Sequence, residues 1–364
     1  MQRPRITQIT VVGAAFLLIA LAMAVGSPAW AQPRDSRLAD SQEPGSVIVF
    51  PKFIKGTVFP DGVPTPQTEF ELGVVCPRNA NGTPGQCTEG LRIKLRFHYV
   101  CGTRESNIVF DSGICREQDF EATVTVNGKL LFNPNGITPG NFITPVAPCD
   151  RGYLIAWVIS PTNDQPIKFD GLIGSAVVRE SGTAVSAYNA IPIQAHPDLV
   201  TNAAIQTGGA GALFFDGAPG HYQAITGKIF GDVLYDRPLA SSRLILLTLD
   251  VRSNRPNYPT FVDFNFYNAQ EALLSVPVVE FVCWTEVALA DIDGNLTGTL
   301  MGSRKGVFIS DSVEKVPIFG INDTAGPVTL LGLVQTNEGQ TGTDRSYITG
   351  VFNDSTVVET IFRP

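Results

Sequence analysis

The chain is poor in charge: Asp, Glu, Lys and Arg make up only 16% of its 364 residues, against roughly 25% in an average soluble domain. Its 34 acidic side chains outnumber the 26 basic ones, so the net charge is −8. Because nucleic-acid binding depends on clustered Lys and Arg, this balance predicts no nucleic-acid partner. The 35 glycines and 26 prolines instead indicate many short strands joined by turns.

Histidine is scarce, with only His98, His196 and His221 in the sequence. None of them belongs to a His-Glu-x-x-His motif, and the sequence has no Gly-x-Ser-x-Gly elbow. It also has no Cys-x-x-Cys pair, which disfavours a zinc site. We therefore predict no catalytic residue, no cofactor-binding residue and a protein that is not an enzyme.

Long apolar runs are missing except at the N-terminus. There, Arg3 and Arg5 precede an apolar run over residues 9–25, and small residues lead up to Ala31. This order is typical of a secretory signal peptide, so residues 1–31 are predicted to be removed after Ala31. A membrane anchor is the alternative, but the run is Ala-rich and a span needs about 20 strongly apolar residues. The sequence predicts a bacterial-type exported protein that is periplasmic, secreted or held at the cell surface, with no transmembrane segment after cleavage.

All six cysteines lie beyond the leader, and an even count in an exported chain predicts disulfides. Cys76 and Cys87 flank a turn-rich segment and are predicted to pair. Cys101 and Cys115 are predicted to close a second short loop. The remaining two cysteines, which are either free or tie the two halves of the chain together, are Cys149 and Cys283.

Alternating polarity is clearest in residues 91–100, where every second residue is apolar. The residues between them, Arg92, Lys94, Arg96 and His98, fall on the opposite face of a strand. This basic row is a candidate face for an anionic ligand. The alternative is the solvated side of an antiparallel sheet.

Strand-like segments of this kind fall into two blocks, and no window shows a long, capped helical stripe. We therefore predict an all-β fold of two antiparallel β-sandwich domains, immunoglobulin-like or jelly-roll-like, with a diverged tandem repeat as one interpretation. Asn127-Gly128 is predicted to form a tight hairpin. The predicted segments are a signal peptide (1–31), a flexible N-terminal segment (32–44), a first domain (45–196), a linker (197–211) and a second domain (212–364).

Two further features suggest binding. Asp291, Asp293 and Asn295 place oxygens at alternate positions, as in a Ca²⁺ loop, but the ligand set is incomplete and a polar turn is the alternative. Ca²⁺ is the one cofactor that the sequence suggests. Trp157 and Trp284 could stack on sugars, although their apolar surroundings predict a core role.

Five segments resemble exported bacterial all-β proteins of uncharacterised function. They are GSVIVFPKF (45–53), RGYLIAWV with FDGLIGSAV (151–158 and 169–177), and VEFVCWTEVALADIDGNLT with MGSRKG (279–297 and 301–306). Together they make up about 15% of the predicted mature chain. The resemblance implies export and a β fold, and no site residue can be carried over from it.

The function predicted from these features is that of a non-enzymatic structural or interaction protein of the cell exterior. Its partners would be another extracellular protein or a glycan, with self-association as a further option. A carbohydrate-binding module is the first alternative, and a hydrolase or lyase on a β scaffold is the second.

Overall fold

The regular secondary structure of the described residues in the computed structural model is almost entirely antiparallel strand, which confirms the all-β prediction. The predicted signal peptide and most of the predicted N-terminal segment lie outside the described residues. Those residues are 39, 42–56, 67–78, 87, 90–102, 115, 117–136, 144–181, 184–235, 241–249, 260–315, 329–337, 344–351 and 361–362.

The first nine strands form a sandwich of two sheets. Their bounds are β1 (Val47–Ile54), β2 (Gln67–Val74), β3 (Arg92–Cys101), β4 (Glu117–Thr125), β5 (Lys129–Phe132), β6 (Arg151–Ile159), β7 (Leu172–Ser181), β8 (Ala184–Asn189) and β9 (Ile191–Ile193). One sheet has the order β4-β3-β6-β1-β9 and the other β5-β2-β7-β8. Alternating apolar residues face the space between the sheets. There Phe97 of β3 meets Phe132 of the opposite sheet, with ring centroids 5.4 Å apart.

The second half of the chain repeats this arrangement. Its elements are a short 3-10 turn (Gly209–Gly211), β10 (Leu213–Phe214), β11 (Ile229–Leu234), β12 (Ser241–Leu247), β13 (Thr260–Asn268), β14 (Leu273–Ser275), β15 (Val279–Phe281), β16 (Trp284–Ala288), α1 (Leu289–Ile292), β17 (Lys305–Lys315), β18 (Leu331–Asn337), β19 (Asp344–Ile348), β20 (Gly350–Val351) and β21 (Ile361–Phe362). The sheets have the orders β14-β13-β17-β11-β20, with β15 also on β13, and β16-β12-β18-β19. A separate two-stranded sheet pairs β10 with β21.

The two sandwiches have the same strand order. Strands β1 to β4 correspond to β11 to β14, and β5 to β9 correspond to β16 to β20, with β15 as an additional strand. In each half the larger sheet contains the fourth, third, sixth, first and ninth strands, and the smaller sheet contains the fifth, second, seventh and eighth. This shared topology supports the interpretation as a tandem repeat.

The halves pack together through sheet faces. Ile245 and Leu247 of β12 belong to the same buried cluster as the first sandwich, whereas their neighbours Leu244 and Leu246 belong to the second core. The β12 sheet is therefore covered on both faces. Residues Ser36–Pro364 accordingly form one compact unit, and the predicted boundaries of two separate domains stay a prediction.

The predicted hairpin at Asn127-Gly128 is wrong. The turn is present, with Asn127 at a positive φ of 62°, but β4 pairs with β3 whereas β5 pairs with β2. The chain thus crosses from one sheet of the sandwich to the other. The backbone N–H of Asn127 donates to the Val74 carbonyl at 2.7 Å, so the last residue of β2 accepts a hydrogen bond from the turn.

All six cysteines form disulfides, and one predicted pairing is confirmed. Cys76 bonds Cys87 across a separation of 11 residues. The predicted pair of Cys101 with Cys115 is wrong, because Cys101 bonds Cys149 and Cys115 bonds Cys283. The prediction from loop length failed because of strand pairing. Cys101 is the last residue of β3 and lies beside the start of β6, and Cys149 comes just before β6. Disulfides in this number are typical of proteins that fold in an oxidising, extracytoplasmic compartment.

Candidate interaction surfaces

A buried ammonium group lies where the two halves meet. Lys52 of β1 is 1% exposed, and its Nζ contacts the carboxylates of Glu180 and Glu286, the latter at 3.0 Å. It also donates to Gln335 Oε1 at 2.7 Å. A buried cation is stable only when paired and hydrogen-bonded. Because Glu286 and Gln335 come from the second half, this cluster fixes how the two sandwiches fit together.

Two guanidinium groups complete the cluster at its rim. Arg151 NH1 lies 2.7 Å from Glu286 Oε2, and Arg243 NH1 lies 3.0 Å from Glu286 Oε1. Burial by itself raises the pKa of Glu286. The positive charges of Lys52 and Arg151 lower this pKa by a larger amount, so the resulting pKa is about 2. Glu286 is therefore ionised at neutral pH. A cavity of about 310 Å³ opens beside these side chains, and Trp284 and Asp291 also line it.

Between the two halves, two apolar sheet faces pack against each other. Val47 and Val49 of β1 and Tyr153 and Ile155 of β6 form the first, which we call the β6 face. All four are 0% exposed, and the Tyr153 hydroxyl donates to the Thr248 carbonyl at 3.3 Å. The side chains that cover them from β12 and β18, which we call the β12 face, are Ile245, Leu247, Leu331 and Leu333.

The equivalent of the β6 face in the second half is exposed. It lies on β11, β13, β14 and β17, where Leu273, Tyr267, Val307 and Asp232 form one row across the sheet. Val307 is 39% exposed and Leu273 is 56% exposed. We call this surface the β17 face, and the residues of its second row are Ser275, Asn265, Ile309 and Phe230.

The exposed apolar side chains of the β17 face are informative because they lie next to one another. Phe230 is 40% exposed, and Tyr267 and Ile309 are half-buried between it and Leu273. Contiguous apolar surface on a folded protein marks interaction sites more often than scattered exposed residues do. The β17 face is therefore the strongest candidate interaction surface of the described residues.

The predicted basic row carries its own counter-ions. Lys94 Nζ lies 2.6 Å from both Glu121 and Asp164, and Arg96 lies 2.7 Å from Glu121. The acidic partners raise the pKa of Lys94 and lower that of Glu121. Arg92 is exposed at the start of β3. The structure thus places the row on a solvated face neutralised by neighbours, and anion binding by this row stays a prediction.

The fourth member of that row, His98, is buried instead. It is 4% exposed and stacks on Trp157, with ring centroids 4.8 Å apart. Burial lowers its pKa to about 4, so the imidazole is neutral at physiological pH. Nearby Glu117 has a pKa raised to about 7 by burial and by Asp119.

The metal candidates lie on and after α1. Asp291 and Asn295 are exposed, and the Asn295 N–H donates to Asp293 Oδ1 at 2.7 Å, a bond typical of the polar turn that was the alternative. No group of three or more His, Cys, Asp or Glu side chains with metal-binding geometry occurs among the described residues. Calcium binding stays a prediction.

Trp157 and Trp284 are both in the core, as their apolar surroundings predicted. Trp157 is 1% exposed and Trp284 is 6% exposed. The Trp284 indole N–H donates to the Pro51 carbonyl at 2.8 Å, which links the second half to β1. Neither ring is available for stacking on a sugar.

The other two histidines lie beside each other on neighbouring segments. The backbone N–H of His196 donates to the backbone carbonyl of His221 at 2.9 Å. The ring Nδ1 of His221 lies 2.9 Å from Asp216 Oδ1. The described part of the chain has cavities of about 310, 390 and 490 Å³, and neither His196 nor His221 lines any of these three. Within that part, no helix is long and apolar enough to span a membrane.

The buried Lys52 cluster and the exposed β17 face were not predicted from the sequence. Lys52 interrupts the apolar run of β1, and a single charge in such a run was the available signal for a buried ion pair. The exposure of Val307 had no signal, because a β-branched residue in an alternating strand is usually assigned to a covered face.

Comparison with known proteins adds little. No family model matches the chain, and no curated protein matches it. It is similar to the crystal structure of a presumed secreted protein from Parabacteroides distasonis ATCC 8503, at 8% identity and a TM-score of 0.19, over 84% of this chain and 96% of the other. It is also similar to a lectin from Pleurotus ostreatus in complex with GalNAc, at 9% identity and a TM-score of 0.16, over 84% and 86% of the two chains. Likenesses at these scores support no argument about fold or function.

Proposed function

We propose that this chain is a non-enzymatic interaction protein of the cell exterior. The observation that carries the proposal is the β17 face, where Phe230, Leu273 and Val307 are between 39% and 56% exposed on one continuous sheet surface. Leaving such side chains in water forgoes roughly 25 cal/mol of stabilisation for each Å² of apolar area. A surface that retains them is suited to a partner that covers them.

The test combines two binding measurements on the purified protein. Light scattering over a concentration series reports self-association, and a glycan panel reports sugar binding. We expect at least one of them to show binding that Val307→Asp weakens, because a charge placed under a partner is costly. Val200→Asp is the control, since Val200 is 74% exposed and lies outside the β17 face. A monomer that binds no glycan would contradict the proposal.

A second candidate function, glycan binding, is favoured by the polar residues of the same face. Asn265 and Asp232 stand beside Tyr267 and Phe230. Aromatic rings pack on the C–H faces of sugars, and amide or carboxylate oxygens accept hydrogen bonds from their hydroxyls. Tyr267→Ala would then abolish binding on the glycan panel, whereas Trp284, which is buried, would have no direct role.

A further inference from the structure

We infer that the partner of the β17 face is a second copy of this chain, docked as the second half is docked on the first. This inference rests on the proposed function and names the occupant of the same surface. Inside the chain, the smaller sheet of one sandwich covers the outer face of the larger sheet of the other. Repeating that packing between molecules places the smaller sheet of the first half, β5-β2-β7-β8, against the β17 face.

The β6 face and the β17 face occupy equivalent positions in the two sandwiches. The β6 face lies on the first and sixth strands of its sandwich. The β17 face lies on the first and sixth strands of the other sandwich and extends over the third and fourth strands. Ile155 pairs with Val49 as Ile309 pairs with Phe230. Yet Val49 is 0% exposed whereas its counterpart Phe230 is 40% exposed. The difference is that the β12 sheet covers the first face.

The chain also carries a second copy of the covering sheet. Its outward side chains alternate with core residues: Gly174 and Ala176 of β7 point inward, so Ile173 and Val177 point outward. Ile173 is 44% exposed, and Leu131 of β5 is 37% exposed. We call this surface the β2 face, and its remaining outward residues are Glu69, Glu71, Lys129 and Ser175.

The charges of the β2 face explain why association would be weak and dependent on concentration. Lys129 lies 3.3 Å from Glu71, and Arg179 lies 2.9 Å from Glu69. These exposed pairs satisfy one another in the monomer and are worth little there. Glu71 stands between Leu131 and Ser175 on the inner strand β2, so docking would remove this ion pair from water, and that cost keeps the association weak.

The symmetry of the assembly follows from the two different faces. Contact between a β2 face and a β17 face is heterologous, so a docked pair still presents one unused β2 face and one unused β17 face. Such contacts give open, head-to-tail assemblies unless the rotation closes a ring. A contact between two β17 faces would instead stop at a symmetric dimer.

Sedimentation velocity on the purified full chain over a wide concentration range tests the inference. We expect the mean mass to rise beyond the dimer. Val307→Asp on the β17 face and Ile173→Asp on the β2 face should each weaken association about tenfold or more, as a charge in an apolar contact does. Val200→Asp is the matched control and should associate like the wild type.

An equimolar mixture of the two variants gives the sharpest result. Each variant alone lacks one face and should stay monomeric. Together, the intact β2 face of Val307→Asp can dock on the intact β17 face of Ile173→Asp, so the mixture should form dimers and nothing larger.

The outcomes separate the inference from the proposed function. Wild-type protein that remains monomeric overturns the inference, and the proposed function still stands if Val307→Asp reduces glycan binding. Association that Val307→Asp abolishes and Ile173→Asp leaves unchanged indicates a symmetric dimer, which also overturns the inference alone. If either variant fails to fold, Leu131→Asp replaces Ile173→Asp and Phe230→Asp replaces Val307→Asp.

Discussion

At the scale of single residues, burial determines which groups are charged. Glu286 is held ionised by Lys52 and Arg151 although it is only 7% exposed. Its pKa of about 2 lies below the ordinary value, so its stabilising contribution is present above the unfolded pKa and is lost as pH falls towards 2. Burial and the nearby carboxylate of Asp119 move the pKa of Glu117 in the opposite direction.

Glu117→Gln should therefore stabilise the protein at alkaline pH. With a folded pKa of about 7, wild-type Glu117 keeps a proton that the unfolded chain releases, so stability falls as pH rises from about 4.5 to 7. Removing this titration should raise the free energy of unfolding by about 2 kcal/mol at pH 8 and leave it nearly unchanged at pH 4. Urea unfolding at the two pH values measures the effect.

Glu71→Gln is the control for this experiment, since Glu71 is on a strand but 48% exposed. Equal stability of wild type and Glu117→Gln at pH 8 would show that the Glu117 carboxyl is ionised without cost in the folded protein.

At the scale of secondary structure, close approach between strands limits the residues that fit. Gly174 of β7 faces β1 across the first sandwich. A Cβ at this position would lie 2.7 Å from Phe50 Cζ and 3.0 Å from Ile48 Cδ1, well inside normal van der Waals contact. The glycine is therefore required by packing between the sheets.

Gly174→Ala is expected to destabilise the protein by about 1–3 kcal/mol, the usual cost of overpacking a core. Gly294→Ala is the control, because a Cβ there meets no described atom within 4 Å, and it should change stability by less than about 0.5 kcal/mol. Midpoints of urea unfolding compare the two variants. A Gly174→Ala midpoint equal to that of Gly294→Ala would mean that β1 and β7 move apart freely.

At the scale of the whole molecule, three kinds of contact hold the halves together. The β12 face covers the β6 face, the Lys52 cluster adds ion pairs across the interface, and the Cys115–Cys283 disulfide links the chain across 168 residues. Rigid docking of the two sandwiches is what leaves the β2 face and the β17 face as the outer surfaces.

The long-range disulfide should contribute more stability than the short one. In the chain-entropy model, closing 168 residues rather than 11 restricts the unfolded chain more, by about 2 kcal/mol. Cys115→Ser with Cys283→Ser should therefore lower the free energy of unfolding by more than Cys76→Ser with Cys87→Ser does. Guanidinium unfolding of the two double variants gives the comparison, and an equal loss would contradict the loop-length argument.

The sequence by itself determined the local structure of this protein. Alternation in β3 and the apolar setting of Trp157 and Trp284 predicted strands and core correctly, because side-chain period and burial are local properties. The pairing of Cys76 with Cys87 was also local, since a turn-rich loop brings the two residues together. The same reasoning did not extend to Asn127, where the turn was correct but the partners of its strands were not.

Only the tertiary structure decided what lies against what. Cys115 bonds Cys283, and Lys52 meets Glu286, across more than 160 residues of sequence, a separation at which spacing carries no information. Ile155 and Ile309 are the same residue type in corresponding strands, yet one is buried and the other is half-buried on an open face. A strand's sequence encodes an apolar face, but whether another sheet covers that face depends on the packing of the whole chain.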